Sequence, residues 1–293
     1  MNERFVDVND VQERVYQRYN TGIDDLNWIF GSDPRKPNAG IPQYSLTLCG
    51  GEAGVGKTRV WVNVCHCLAL QKLIIVYFQL EMNIGQFKNN YFKGKSFPKG
   101  SLLLSEMKQL DEQIKLIQDV KPHIVIVDSV NKIDTGKGKK NPDLIEEAYR
   151  KVAEQTGCAV VFLAHLNQDG SVKGGTCIPH MGDIILSLTK STEWKNCIDV
   201  QVGKTRFGQS DRSALFHHTD TGIECVTENY KVDGKDVFFK KGQITYTELK
   251  NQINSINQKR STITLDEPQK PKMTMGSFFG LDGQGNFLQK LLK

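Results

Sequence analysis

No stretch of the chain strings together the roughly 18 apolar residues that a membrane span requires, and the opening residues MNERFVDVND are too polar for a signal peptide. The expectation is a cytoplasmic protein with no membrane partner. No two cysteines take the Cys-x-x-Cys spacing, and the seven present are odd in number, which argues against a disulfide framework. Most lie in apolar runs such as SLTLCG and TGCAVVFL, where a reduced thiol behaves as a small buried hydrophobe. Cys65, His66 and Cys67 form one cluster without a second ligand pair, so no structural metal is expected. No internal repeat exists at the roughly 20 to 50 residue period of solenoids. With 39% apolar and 24% charged residues over 293 positions, collagen-like, mucin-like and wholly disordered chains are excluded. One large domain with an appendage, or at most two domains, remains.

The net charge of +5 is unevenly placed. Residues 1–228 hold 27 basic and 27 acidic side chains, whereas 229–293 hold 11 and 6. The body is neutral, so net charge names no partner for it.

What is present is an alternation. Apolar runs at 44–49, 73–80, 123–127 and 159–164 suit strands buried on both faces. Between them, 57–70, 107–119 and 142–155 carry apolar residues at helical spacing, and Asn141 followed by Pro142 reads as a helix start. The expected fold is α/β, with a mostly parallel sheet flanked by helices. After Gly182 close-set runs at 184–189, 197–202, 213–218 and 222–226 predict antiparallel strands joined by hairpins. The predicted organisation is an N-terminal arm (1–20), a core (21–228), an extension (229–256) with one short helix at 246–256, and a polar linker running into an apolar C-terminal peptide (257–293).

Residues 51–58 read GEAGVGKT, the spacing G-x-x-x-x-G-K-[ST] between a strand and a helix. Glycines let successive N–H groups face an anion, and the helix start adds partial positive charge. The expected cradle for ATP is Gly51, Glu52, Ala53, Gly54, Val55, Gly56, Lys57, Thr58 and the following Arg59, with Glu52 facing solvent. Lys57 would reach the β- and γ-phosphates and Thr58 would ligate Mg2+. The run KPHIVIVDS ends in Asp128, a carboxylate suited to the same ion. Glu81, closing LIIVYFQLEM, is the candidate base for an in-line water; a solvated acid at a helix start is the other reading.

These residues resemble a known family. TGIDDL at 21–26, the phosphate loop, Glu81 in FQLEM and His165 in LAHLN look like the RecA-type P-loop ATPase core, and FQLEM is close to the matching element of DnaB-type helicases. Residues 173–188 and GKTRFG at 203–208 are similar to the bacterial RadA (Sms) family, whose Lys-Asn-Arg-Phe-Gly signature has Thr205 here in place of Asn. The resemblance runs from about residue 15 to 228 and includes neither that family's zinc finger nor its Lon-like domain. It implies an ATP-driven motor on single-stranded DNA, of helicase or branch-migration type, acting in replication or recombination as a homo-oligomeric ring, a hexamer, or a filament. Lys204 and Arg206, two apart in a strand-like run, would act as fingers in a neighbour's site, or else be a solvated edge pair. His165 and Asn167 would sense the γ-phosphate, or be structural. The alternative function is a KaiC-like regulatory or scaffolding ATPase that does not touch DNA.

Two loops are candidates for DNA. NKIDTGKGKKN carries Lys132, Lys137, Lys139 and Lys140, and QDGSVKGGT carries Lys173; such lysines grip phosphates without reading sequence. Either could also be a solvated loop. The apolar C-terminal peptide, 273–293, would dock on a replication or recombination partner or on a neighbouring subunit, or pack on its own core.

Overall fold

The computed structural model describes residues 16–31, 38–136, 141–166, 182–192, 194–208, 210, 212–220 and 222–226, together with the backbone of 228–232 and 235–239. In chain order these form β1 (Arg18–Tyr19), α1 (Asp24–Ile29), β2 (Ile41–Pro42), β3 (Leu46–Gly51), α2 (Lys57–Leu70), β4 (Ile75–Gln79) and α3 (Ile84–Tyr91). Next come β5 (Leu102–Ser105), α4 (Leu110–Val120), β6 (Ile124–Asp128), α5 (Pro142–Thr156) and β7 (Ala159–His165). The described part ends with β8 (Ile184–Lys190), β9 (Cys197–Thr205), β10 (Ser213–His218), β11 (Ile223–Cys225), β12 (Glu228–Val232) and β13 (Lys235–Phe239).

Nine strands form one sheet in the order β11-β10-β9-β8-β3-β7-β6-β4-β5. Every residue of β4 and β6, and all of β3, is buried, because helices cover both faces. On one side α2 and Phe87 of α3 pack with Trp61, Tyr77 and Leu163; on the other α4 and α5 pack with Phe78, Val127 and Phe162. That double covering is what the unbroken apolar runs require. Helix α5 shows the matching stripe, with Ile145, Tyr149, Val152 and Ala153 buried at helical spacing. Asn141 caps it by accepting from Leu144 N at 3.2 Å. Between α4 and α5, the Tyr149 hydroxyl donates to Gln113 Oε1 at 2.6 Å while Gln113 Nε2 donates to Met107 O at 2.6 Å, so a buried amide is satisfied at both ends.

The parallel part extends one strand further than the sequence rhythm implies. β8 pairs in parallel with β3, from Thr47 opposite Ile184 to Gly51 opposite Leu188; only from the β8–β9 pair outward is the sheet antiparallel. Residues 16–20 join the body through β1, which pairs with β2, and Tyr19 is buried. β12 and β13 form a separate two-stranded ribbon. Asn167, the candidate DNA loop at 168–176 and the helix expected at 246–256 lie outside the described residues, as do the linker and C-terminal peptide. Among the described residues no helix is long and apolar enough to cross a membrane.

Candidate nucleotide site

The phosphate loop spans the gap from β3 to α2 at the carboxyl edge of the parallel strands. Gly54 and Gly56 have φ of 75° and 105°, the region L side chains avoid, and they turn the chain back into the helix. Gly56 is the N-cap, and no side chain caps α2; α3 and α5, by contrast, are capped by Asn83 and Asn141. The first-turn amides of α2 are therefore left for an anion. Glu52 is exposed. Lys57 is only 5% exposed, and its Nζ donates to Gly51 O at 2.7 Å and Glu52 O at 2.9 Å. Burial lowers its pKa, while the Cys49 thiol, Asp128 and Glu81 act in the opposite sense.

Asp128 ends β6 and is buried at 3% exposure. Its Oδ2 accepts from the Thr58 hydroxyl and from the Tyr77 hydroxyl, each at 2.8 Å. Burial raises its pKa, and the hydrogen bonds from Thr58 and Tyr77 oppose that rise without cancelling it. The oxygens of Thr58 and Asp128 thus meet at one point beside the loop. Among the described residues no group of three or more His, Cys, Asp or Glu could hold a metal. This donor set fits Mg2+, which takes one or two protein oxygens and fills the remaining positions with water and phosphate.

Glu81 follows β4, and His165 ends β7. The topology brings them together, His165 Nε2 lying 2.6 Å from Glu81 Oε1, although 84 positions separate them in sequence. Burial disfavours the charged form of Glu81, but the hydrogen bond with His165 and the charges of His165 and Lys57 oppose it, and the carboxyl is held below its usual value. The carboxylate is therefore ionised at neutral pH and already engaged. The Asp128–Ser129 peptide between these groups is cis.

The β10–β11 hairpin closes the other flank. His218 Nε2 faces Val55 O at 3.2 Å, which makes Nε2 the protonated nitrogen. A Cβ on Gly56 would lie 2.3 Å from the His218 ring. Arg59 Nη1 donates to Thr219 O at 3.0 Å. Neither Tyr77 nor His218 was among the residues expected from the sequence. A hydroxyl inside the fully apolar run of β4 is itself a signal, since it needs a buried partner; His218 has no local signal at all.

Lys204 and Arg206 lie towards the opposite end of the parallel strands. Lys204 pairs with Ile185 of β8, which lies opposite Leu48 of β3, three residues or roughly 10 Å of strand from Gly51 and two strands away from it. Lys204 lies within β9, and Arg206 is the residue that follows the strand. β9 ends at Thr205, and Arg206 bends so that Nη1 donates to Asp183 Oδ1 at 3.0 Å. Asp183 also accepts from Leu46 N at 2.9 Å and from Arg150 at 3.3 Å, and its backbone carbonyl accepts from Arg206 N at 2.9 Å, so Arg206 is held at the amino end of β3 by both backbone and side chain. Of the expected DNA contacts, Lys132 is exposed in a 3-10 turn (Val130–Lys132) after β6. Asp134, the one acid of that loop, is taken up by Gln109 Nε2 at 2.7 Å and Gly136 N at 2.8 Å. Lys137, Lys139, Lys140 and Lys173 lie outside the described residues.

Comparison with known proteins adds a family. A family model described as AAA domain matches residues 17–171. The chain is similar to DNA repair protein RadA of Mycolicibacterium smegmatis, 27% identical over 235 residues that cover 76% of this chain and 48% of that protein. Its likeness to RadA of Campylobacter jejuni is 25% over 246 residues, covering 80% and 51%. The chain thus spans about half the length of the curated relatives it matches. Among solved structures, the ATPase domain of G40P superposes with a TM-score of 0.53 at 13% identity, covering 61% of this chain and 84% of that one. The flagellar accessory protein FlaH of Methanocaldococcus jannaschii gives 0.56 at 16%, covering 72% and 99%. Both share the RecA-type fold.

Proposed function

The chain belongs to the AAA-domain family, and from that premise we propose that it hydrolyses ATP to drive a homo-oligomeric motor on single-stranded DNA, in repair, replication or recombination. The observation that carries this reading is the meeting of Lys57, Thr58, Asp128, Glu81 and His165 at the carboxyl edge of the sheet, drawn from four separate strands and helices.

In this reading the loop amides and Lys57 bind the phosphates, and Lys57 exchanges its bonds to Gly51 O and Glu52 O for phosphate oxygens. Thr58 and Asp128 would hold Mg2+, which when bound offsets phosphate charge. Glu81 orients a water and takes its proton; to do so it must leave His165, so that the imidazole acts as a latch on the base. Lys204 lies within β9, and Arg206 is engaged by Asp183 beside Leu46, at the end of β3 away from its own phosphate loop. They would serve a neighbour's, in a ring or filament where Arg206 has exchanged Asp183 for the γ-phosphate. The RadA relatives support DNA as the track. Lys132 and the lysines following it supply cations for a strand.

The test is ATP turnover by the full chain with and without oligothymidylate, beside a salt titration of strand binding. Stimulated turnover, strand affinity that falls steeply with salt, and loss of turnover in Lys57→Ala are expected. Robust turnover with no strand binding even at low salt would leave the KaiC-like reading, an ATPase that regulates or scaffolds without DNA.

A further inference from the structure

We propose that the cleft between the carboxyl half of α3 and the edge strand β5 is a second seat for single-stranded nucleic acid, apart from the loops after β6 and β7. The inference rests on the reading of the chain as a nucleic-acid motor. The cleft is open to solvent and measures about 580 Å³. Its walls carry Lys88, Lys93 and Lys95 with Phe92 and Phe97, backed by leucines of β5.

The local charge is one-sided. From Met82 to Ser105 the chain has four lysines, at 88, 93, 95 and 99, and no Asp or Glu, in a body that is otherwise balanced. The next acid, Glu106, is committed elsewhere, accepting from Ile84 N at the start of α3 at 2.5 Å. Helical spacing then sorts the residues of α3. Phe87 is fully buried against Tyr77, with ring centroids 5.0 Å apart. One turn on, Tyr91 lies beside Thr58 and Asp128. Lys88 and Phe92 form the adjacent stripe, which lines the cleft. The cleft rings are held rather than loose: Phe92 and Phe97 sit 5.0 Å apart, and Phe97 meets the His66 ring edge-on at 5.3 Å.

Ammonium groups around fixed phenyl rings suit a chain of phosphates whose bases stack without sequence preference. An acidic peptide would satisfy the lysines but leave the aromatic wall unused. A strand seated here would touch the stripe adjacent to the one whose Tyr91 lies against the phosphate site.

The experiment uses the full chain and an iodouracil-substituted oligothymidylate crosslinked by ultraviolet light, with peptide mapping. Alongside it, strand affinity is measured across a salt series for wild type, for Lys88→Glu with Lys93→Glu, and for Lys132→Glu. Both cleft lysines are exposed, so the double variant should fold and keep its DNA-free ATP turnover. Crosslinks at Phe92 or Phe97 are expected, with roughly tenfold weaker binding by the double variant and a salt slope shallower by roughly 0.7 per lost contact. Wild-type binding without these crosslinks, and with the double variant unaffected, overturns the cleft while leaving the motor reading intact. Absence of strand binding by wild type overturns both. Polyglutamate that displaces the strand from the cleft as readily as free oligothymidylate does would reassign the cleft to acidic peptides.

Discussion

Glu81 carries the sharpest residue-scale consequence, because its carboxylate is both the candidate base and the partner of His165. Glu81→Gln should retain nucleotide but lose turnover by roughly 10²- to 10⁴-fold, read by nucleotide binding beside phosphate release. The sign of the pH dependence follows from its lowered pKa. The charged form, and the contact it makes with His165, persist above that value and are lost only as the pH falls through it. Removing the imidazole in His165→Ala takes away a favourable partner, so the acid limb of the pH–turnover profile should move to higher pH. An unmoved acid limb would show that His165 does not govern Glu81. The convergence of Lys57, Thr58 and Asp128 beside one loop was legible in sequence, since a loop of fixed spacing and a strand-ending carboxylate are local signals. The Glu81–His165 contact was not, because it forms across 84 positions and depends on how β4 and β7 are ordered in the sheet. Cys49, directly before the loop, is no rival nucleophile: burial pushes its thiol up to about 11.

At the scale of elements, long and strongly patterned segments were readable. Helix α2 runs from Lys57 to Leu70 and β10 from Ser213 to His218, both as the periodicity predicts. Helices α1 and α3 and strand β5 escaped. α1 has 6 residues, α3 has 8 and β5 has 4, too few for a period to stand out, and aromatic and lysine residues mix along the stretch after Asn83. The cleft of α3 and β5 was invisible for the same reason. The α4–α5 pair offers a check on packing. Tyr149→Phe would leave the buried Gln113 carbonyl without its donor, which should cost about 1–3 kcal/mol in denaturant unfolding. Asn141→Ala, which removes only the cap of α5, should cost about 1 kcal/mol.

For the whole molecule, the sheet sets the phosphate loop and Arg206 towards opposite ends of its parallel strands, which is the arrangement the proposed sharing of a site between two copies of the chain requires. Lys57→Ala and Arg206→Ala, each inactive alone, should recover part of the turnover when mixed, since some junctions then pair an intact loop with an intact finger. Absence of recovery at any mixing ratio would argue that each subunit works by itself. Light scattering should report a larger assembly with nucleotide than without. By itself the sequence determined the α/β class and the phosphate-loop motif between β3 and α2, because periodicity and motif spacing are short-range properties of the chain. It also determined the neutrality of the body, which is a matter of counting. Only the tertiary structure decided that β8 joins the parallel set, that Arg206 turns onto Asp183, and that Glu81 meets His165. It likewise created the lysine and phenylalanine cleft at the sheet edge. Each of these depends on which strands become neighbours, and that is settled by burial of both sheet faces at once, a condition no local window contains.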